Sequence, residues 1–170
     1  RIWQKYVGDA SRAFMESGSG SAIPRVFLDS GVLLEGLLAP WSASRALLIL
    51  SRRRVFKIIL AEYVRGEVED NLLELLAPHP RLADETINSY STLLRLLKPE
   101  IIALPTKQEI DRHRHLIRHQ TDVPVLVSAL KAAPDWFLTT NTRHFTKQVA
   151  LRTRLKILTP QEFITGIRVL

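Results

Sequence analysis

TDVPVLVSALKAAPDWFLTTNTRHF, residues 121–145, is the segment that indicates the fold of this chain most strongly. Its first acidic residue, Asp122, stands two positions before a proline, as is typical of a helix start, and small and apolar residues follow to position 132. The stretch Trp-Phe-Leu-Thr at 136–139 then predicts a short buried strand, with Asn141 just after its end. The segment therefore predicts a helix, a strand, and polar groups where that strand ends.

The same alternation of strands and helices extends over the rest of the chain. Residues 26–28 form an apolar run that stops at Asp29 and indicates another buried strand. Strands that alternate with helices form a parallel sheet with helices on both faces. The sequence therefore predicts an α/β fold, a three-layer α/β/α sandwich around a central five-stranded parallel sheet. The further predicted strands are 55–60, 101–104 and 156–158, and the predicted helices are 43–53, 62–76, 84–97 and 122–132, with helical turns at 107–119 and a short helix after Pro160.

The domain boundary falls near residue 24. The tract Ser-Gly-Ser-Gly-Ser at 17–21 has the composition of a flexible linker. We therefore expect residues 1–24 to be a flexible N-terminal extension or linker, and residues 25–170 to be one domain. A chain of 170 residues, 46% of them hydrophobic, is large enough for such a domain to have its own core.

The composition limits which cellular compartment and which class of binding partner we expect for this protein. There is no cysteine, which excludes disulfides and thiolate metal sites and fits a reducing cytoplasm. No apolar run is long enough to span a membrane and no signal-peptide pattern opens the sequence, so we expect a cytoplasmic protein without a membrane partner. The net charge of +7 favours a polyanionic partner, of which nucleic acid is the commonest.

The charged residues are unevenly distributed. Residues 136–161 contain no acidic residue, whereas several basic residues fall there and a second basic run occupies 52–54. Acidic residues gather at 62–70 and are isolated elsewhere. Such a pattern suits a metal-dependent enzyme that acts on phosphates, because cations attract the phosphate backbone while carboxylates hold the metal.

Four oxygen-bearing side chains are candidates for one site. Asp29 directly follows the first predicted strand and Asn141 closely follows the fourth, so both belong at the carboxyl edge of the sheet, where parallel sheets bind ligands. Glu67 lies early in the helix after the second strand, and Asp122 begins the helix that leads into the fourth. Brought together, their oxygens would suit a hard divalent cation.

Each of these residues has a plainer interpretation that the sequence leaves open. Asp29 and Asp122 are also suitable helix N-caps, and Asn141 is a common turn residue. Glu67 shares its predicted helix with acidic residues that could replace it at the site. Those residues are Glu62, Glu69 and Asp70.

Three segments of the chain together resemble PIN domains. VFLDSGVL at 26–33 is similar to the PIN opening strand that runs into an aspartate, and residues 58–71 are similar to the second PIN element, with its glutamate at Glu67. Residues 121–145 resemble the third and fourth elements together. The resemblance covers roughly residues 25–163.

The resemblance implies a magnesium- or manganese-dependent endoribonuclease, a phosphodiester hydrolase, and many relatives are toxins of VapC-type toxin–antitoxin pairs. It implies that Asp29, Glu67 and Asp122 bind the metal. Asn141 takes the fourth catalytic position, where many relatives have aspartate, so we expect a weaker second metal site. RNA would be the substrate, an antitoxin protein a further partner, and a homodimer the usual assembly.

Four neighbouring residues have supporting roles in this interpretation. The resemblance implies that Ser30 and Thr139 orient the carboxylates. Arg143 and His144 come just after Asn141, where they are placed to contact the substrate phosphate. Asp135 lies at the amino end of its predicted strand, far from that edge, so we interpret it as structural.

Residues 1–24 have a second interpretation. Antitoxin tails of this family commonly lie across the toxin's groove, anchored by aromatic side chains and offering a cation to the acidic site. The extension carries both kinds of residue. They are Arg1, Trp3, Tyr6, Arg12 and Phe14.

Two further alternatives stay open. His113, His115 and His119 raise the question of zinc, but they stand among arginines that would repel a cation, so we interpret them as a solvated basic face, with contact to the RNA backbone as the other option. The neutral Asn141 also leaves open a catalytically weak or inactive PIN-fold RNA-binding protein. A general DNase or flap-type nuclease would need clamp and helical elements beyond those predicted.

Overall fold

A sheet of five parallel strands forms the centre of the computed structural model, which describes residues 23–167 apart from the side chains of Pro80 and Ile167. The order across the sheet is β3-β2-β1-β4-β5, which confirms the predicted α/β fold around a five-stranded parallel sheet. The predicted N-terminal extension falls outside the described residues, except for positions 23 and 24. The strands are β1 (Arg25–Leu28), β2 (Lys57–Ala61), β3 (Glu100–Ile102), β4 (Trp136–Leu138) and β5 (Ile157–Leu158).

Eight α-helices and one 3-10 turn accompany the sheet over residues 23–167. The helices are α1 (Ser30–Leu38), α2 (Ala43–Arg52), α3 (Glu62–Leu76), α4 (Pro80–Leu97), α5 (Lys107–His113), α6 (Val123–Ala132), α7 (Lys147–Thr153) and α8 (Pro160–Ile167), and the 3-10 turn is Gln120–Asp122. Of the helices described here, none is both long and apolar enough to span a membrane alone; α1 and α2 reach that length and composition only as a pair bent by 93°.

Two helices, α1 and α7, were not predicted. The α1 sequence is apolar nearly throughout and contains two glycines, so it lacks the amphipathic periodicity that identifies a surface helix. The helix α7 has only seven residues, of which Val149 alone is buried. Among the predicted helices, α4 begins four residues early at Pro80, where the missing N–H of proline costs nothing because the first helical N–H groups are unpaired anyway.

Strand β1 lies at the middle of the sheet and of the core. Its residues Val26, Phe27 and Leu28 are all 0% exposed, as expected for a central strand covered on both faces. The Phe27 ring packs edge-on against Phe137 of β4, with 5.2 Å between centroids, and Phe137 packs in the same way against Phe145 at 4.8 Å. The unbroken apolar run before Asp29 therefore reflects double-sided burial.

The strand order also fixes where a ligand site can form. The chain passes from β1 to β2 and β3 on one side of the sheet, and then places β4 and β5 on the other side of β1. The carboxyl ends of β1 and β4 are neighbours, and the Asp29 backbone N–H donates to the Leu138 carbonyl at 3.0 Å. A crevice for ligands opens at such a point of reversal in parallel sheets.

The α1–α2 contact depends on Gly36. A Cβ added there would lie 2.6 Å from Leu48 Cδ1 and 3.1 Å from the Ser44 carbonyl oxygen, whereas a Cβ at Gly66 in α3 would meet nothing within 4 Å. We expect Gly36→Ala to lower the free energy of unfolding by about 1 kcal/mol, because overpacking outweighs the better helix propensity of alanine. Gly66→Ala should raise it by about 0.5–1 kcal/mol.

Chemical denaturation of the two single variants measures this difference, and each serves as the control for the other. Equal changes in the same direction would contradict the packing argument, since propensity alone would then explain both.

Candidate functional site

Two hydrogen-bond donors hold the Asp29 side chain at the end of β1, one from the residue after Asp29 and one from the residue after β4. The Ser30 backbone N–H donates to Asp29 Oδ1 at 2.8 Å, and the Thr139 hydroxyl, just after β4, donates to Asp29 Oδ2 at 2.6 Å. Thr139 Oγ1 accepts the Asn141 backbone N–H at 2.9 Å. Both Asp29 and Thr139 are buried, so the carboxylate has a fixed orientation at the sheet edge.

Glu67 and Asp122 approach this edge from different elements. Glu67 lies in the second turn of α3, and Asp122 ends the 3-10 turn before α6. Each has a buried carboxylate oxygen, Glu67 Oε2 and Asp122 Oδ2, that lacks a hydrogen-bond partner among the described residues. Buried acceptors of this kind are rare in folded proteins, which makes both oxygens candidates for binding a ligand.

The three carboxyl groups influence one another. Burial raises the pKa of Asp29, hydrogen bonds from Thr139 and Ser30 lower it, and the charge of Asp122 raises it. Burial likewise raises the pKa of Glu67 to about 7; the Ser30 hydroxyl lowers it, and the charges of Asp29 and Asp122 raise it further. Because such effects weaken with distance, Asp29, Glu67 and Asp122 belong to one acidic site.

His144 and Asn141 lie beside Asp122. His144 Nδ1 is 2.6 Å from Asp122 Oδ2, a close approach without the alignment of a hydrogen bond, and 2.9 Å from Asn141 Nδ2. The hydrogen bond at His144 Nδ1 is the one to Asn141, with the ring nitrogen accepting from the amide N–H when it carries no proton. A neutral amide and an imidazole therefore flank the three carboxylates.

The donor set fits a divalent cation. Magnesium and manganese bind carboxylate oxygens and keep waters in their remaining positions. A cation would satisfy the two unpartnered oxygens and cancel the repulsion between the three carboxylates. Within residues 23–167, no group of three or more His, Cys, Asp or Glu side chains is gathered in the arrangement of a complete metal site.

Some of the candidate site residues also have the structural roles, helix cap or turn, that their sequence positions allow. Asp29 is the N-cap of α1, so capping and a place at the acidic site coexist. Asp122 makes no side-chain capping bond to α6. The Asn141 backbone carbonyl accepts hydrogen bonds from the backbone N–H groups of His144 and Phe145 at 3.3 and 3.1 Å, so Asn141 also forms the turn after β4.

The competing acidic residues of α3 are directed elsewhere. Glu62 Oε2 accepts the Leu104 backbone N–H at 3.2 Å, and Glu69 Oε1 lies 3.8 Å from Arg65. Asp70 is exposed. Glu67 is therefore the residue of this helix that faces Asp29.

Sequence reasoning missed Tyr63. Its hydroxyl donates to the Thr121 carbonyl at 3.4 Å, which ties α3 to the turn that carries Asp122. Burial raises the pKa of Tyr63, and the charges of Glu67 and Asp122 raise it further, so the phenol borders the acidic site. Tyr63 precedes Glu67 by four residues on a helix, and this spacing could have placed both on one face.

The remaining candidates lie around this site or away from it. Arg143 is exposed in the turn after β4. His113 Nδ1 lies 2.7 Å from the Glu109 carbonyl, His115 is exposed, and His119 stacks on His144, so in residues 23–167 the three histidines form no zinc site. Asp135 accepts the Arg25 backbone N–H at 2.7 Å at the opposite end of the sheet.

Comparison with known proteins supports the fold. No protein-family model matches the chain, and no curated protein sequence matches it either. The structure is similar to VapBC2 from Rickettsia felis, solved bound to a DNA fragment from its promoter, with a TM-score of 0.58 and 12% identity over 79% of this chain and 98% of that one. It is also similar to PAE2754 from Pyrobaculum aerophilum, with a TM-score of 0.59 and 12% identity over 89% of this chain and 94% of that one.

Proposed function

From the PIN-type fold that this chain has, we propose that it is a magnesium- or manganese-dependent endoribonuclease. One observation carries the proposal: burial raises the pKa of Asp29 and raises that of Glu67 to about 7, and the charge of Asp122 adds to both effects at the carboxyl edge of the sheet. Carboxyl groups whose pKa is shifted by burial and by one another are typical of catalytic and metal-binding sites.

The roles of the individual residues follow from their contacts. Asp29, Glu67 and Asp122 would hold the cation, which when bound supplies a Lewis acid for phosphate and lowers the pKa of a coordinated water. Thr139 and Ser30 keep the Asp29 carboxylate in one orientation through their hydrogen bonds.

RNA is the proposed substrate because of the surrounding charge. Arg143 is exposed in the turn that also carries Asn141 and His144, and the chain as a whole carries a net charge of +7. Cations at this position would bind the phosphates next to the one that is cut, while His144 would contact the phosphate itself. The product would carry a 5′-phosphate.

We further propose a biological setting, the toxin of a type II toxin–antitoxin system, which acts in the cytoplasm as a homodimer and binds an antitoxin protein. The support is the fold shared with VapBC2. The aromatic residues of the N-terminal segment, which an antitoxin tail would resemble, lie outside the described residues.

A second candidate function is RNA binding without cleavage. It is favoured by Asn141, whose neutral amide contacts His144 at 2.9 Å and stands where a fourth carboxylate would strengthen the acidic site. Under this alternative the acidic site would be weak or inactive, and the basic surface would carry the function.

A cleavage assay distinguishes the two. The purified chain is incubated with single-stranded RNA in Mg²⁺, in Mn²⁺, or in EDTA, and the products are resolved on a gel and tested for a 5′-phosphate. We expect cuts with either metal and none in EDTA. RNA that is bound but left intact in both metals would support the non-catalytic alternative and reject the nuclease.

A further inference from the structure

Two histidine rings form a stack that begins at the acidic site. The rings of His119 and His144 have centroids 3.4 Å apart and planes 16° from parallel. His144 is the inner member, since its Nδ1 lies 2.6 Å from Asp122 Oδ2. His119 is the outer member and is exposed. One face of the His119 ring is covered by His144, so its exposure is mainly on the opposite face and the ring edge.

The loop that carries His119 is held in place. It connects α5 to the 3-10 turn, and Ile117 anchors it in the core at 2% exposure. The Gln120 side-chain amide lies within 3.4–3.5 Å of the carbonyls of Arg114, Ile117 and Arg118. The outer ring is therefore presented in a fixed position, and binding a partner there would require little ordering of the loop.

The surroundings of the stack are basic. Arg112, Arg114 and Arg118 are exposed in and just before this loop, and Arg143 is exposed next to His144. Arg114 pairs with Asp111 at 3.1 Å, a surface contact that a phosphate could replace. A flat, exposed ring bordered by guanidinium groups matches an unpaired nucleotide, whose base stacks on aromatic rings while its phosphate binds cations.

We propose that the exposed face of His119 is a stacking platform for an unpaired RNA base close to the phosphate at the acidic site. The inference rests on the proposed RNA substrate and names a substrate-binding residue for it. The His144 ring backs the platform and connects it to Asp122, so that a stacked base positions its own backbone toward the carboxylates. The platform favours single-stranded RNA, because a base inside a duplex cannot reach it.

Binding of short single-stranded RNAs with 2-aminopurine at one position tests the proposal, using the full chain with Asp29→Asn so that no RNA is cut. We expect His119→Ala to weaken binding by about tenfold and to remove the fluorescence quenching at one position of the RNA. His119→Phe, which keeps a flat ring, should restore both. His115→Ala, an exposed histidine in the same loop, should stay within about twofold of its parent.

In the cleavage assay, His119→Ala should raise KM by a similar factor with little change in kcat. Normal RNA affinity and normal quenching in His119→Ala would overturn the proposal, as would His119→Phe behaving like His119→Ala. The outcome is separable from that of the proposed function. Binding and quenching require no cleavage, so they test the platform even if the wild-type chain never cuts RNA.

Discussion

Asp29→Asn should reduce metal-dependent RNA cleavage by more than about 100-fold while the protein stays folded and binds RNA. Changes to residues that merely orient a metal ligand already cost about 10–100-fold, and Asp29 is proposed to be a ligand itself. Loss of one negative charge also reduces the attraction of the acidic site for a divalent cation. Single-turnover cleavage in Mg²⁺ and Mn²⁺ measures the effect.

The contacts of Asp29 make this substitution a change of charge with little change of shape. Asparagine is as good an N-cap as aspartate, so its carbonyl can accept the Ser30 backbone N–H and keep the start of α1. The Thr139 hydroxyl can rotate to accept from the amide instead of donating to Asp29 Oδ2. We therefore expect the free energy of unfolding to change by less than about 1 kcal/mol.

Asp135→Asn is the matched control. Asp135 is also an aspartate next to a strand, but it accepts the Arg25 backbone N–H at the amino end of the sheet, a role that asparagine can keep. Cleavage by that variant should equal wild type. Wild-type cleavage in Asp29→Asn would remove the acidic site from the mechanism.

Glu67→Gln should stabilise the protein in EDTA at pH 8 and yet greatly reduce its stabilisation by metal. Burial raises the pKa of Glu67 to about 7 from an ordinary value of 4.5, with Asp29 and Asp122 adding to the effect. At pH 8 the wild-type chain keeps a partly buried charge with an unpartnered oxygen. Glutamine has no charge, and its amide can donate to a neighbouring carboxylate. Because Glu67 is only half-buried, solvent screening reduces the effect, and we expect a gain of about 1–2 kcal/mol in the free energy of unfolding.

The contribution of Glu67 to the free energy of unfolding changes with pH in a definite direction. A carboxyl group whose pKa is higher in the folded chain contributes stability below its ordinary value, and this contribution is lost as the pH rises through the folded value. The contribution of Glu67 should therefore be complete below pH 4.5 and absent above about pH 7. The gain from Glu67→Gln should appear over this interval and disappear at pH 4. Thermal unfolding in EDTA at several pH values measures it.

Metal and a neighbouring glutamate provide the controls. Added Mn²⁺ should raise the melting temperature of the wild-type chain, because a ligand that binds only the folded state stabilises it, and should raise that of Glu67→Gln much less. Glu69→Gln removes an exposed charge from the same helix, where Glu69 lies 3.8 Å from Arg65. This substitution should change the free energy of unfolding little at any pH. A Glu67→Gln protein less stable than wild type at every pH would contradict the assigned burial of that charge.

The sheet could be predicted because its signals are local. The runs before Asp29 and around Phe137 are apolar without interruption, and each is followed by a polar residue and a turn or helix start. Helix α1 could not be identified in the same way, because a helix buried on most sides has no polar face, and without one the periodicity of 3.6 residues is lost.

The acidic site could be predicted in part. Asp29 and Asn141 follow strands, and the ends of parallel strands share one edge of a sheet, so their neighbourhood follows from the order of elements. The selection of Glu67 over Glu62 and Glu69 depends on which way α3 is rotated against the sheet. That rotation is set by packing of Val64, Val68 and Leu72 in the core, each of which is 0% exposed.

By itself, the sequence determined the alternation of strands and helices, the burial of β1, and the set of oxygen-bearing residues from which a site could be built. Only the tertiary structure decided that Thr139 donates to Asp29 across 110 residues, that His144 approaches Asp122, and that His119 stacks on His144. The physical reason is that short stretches of chain are enough to show which residues are buried in a strand or helix. Contacts between distant side chains depend instead on strand order and helix rotation, which the packing of the whole core determines.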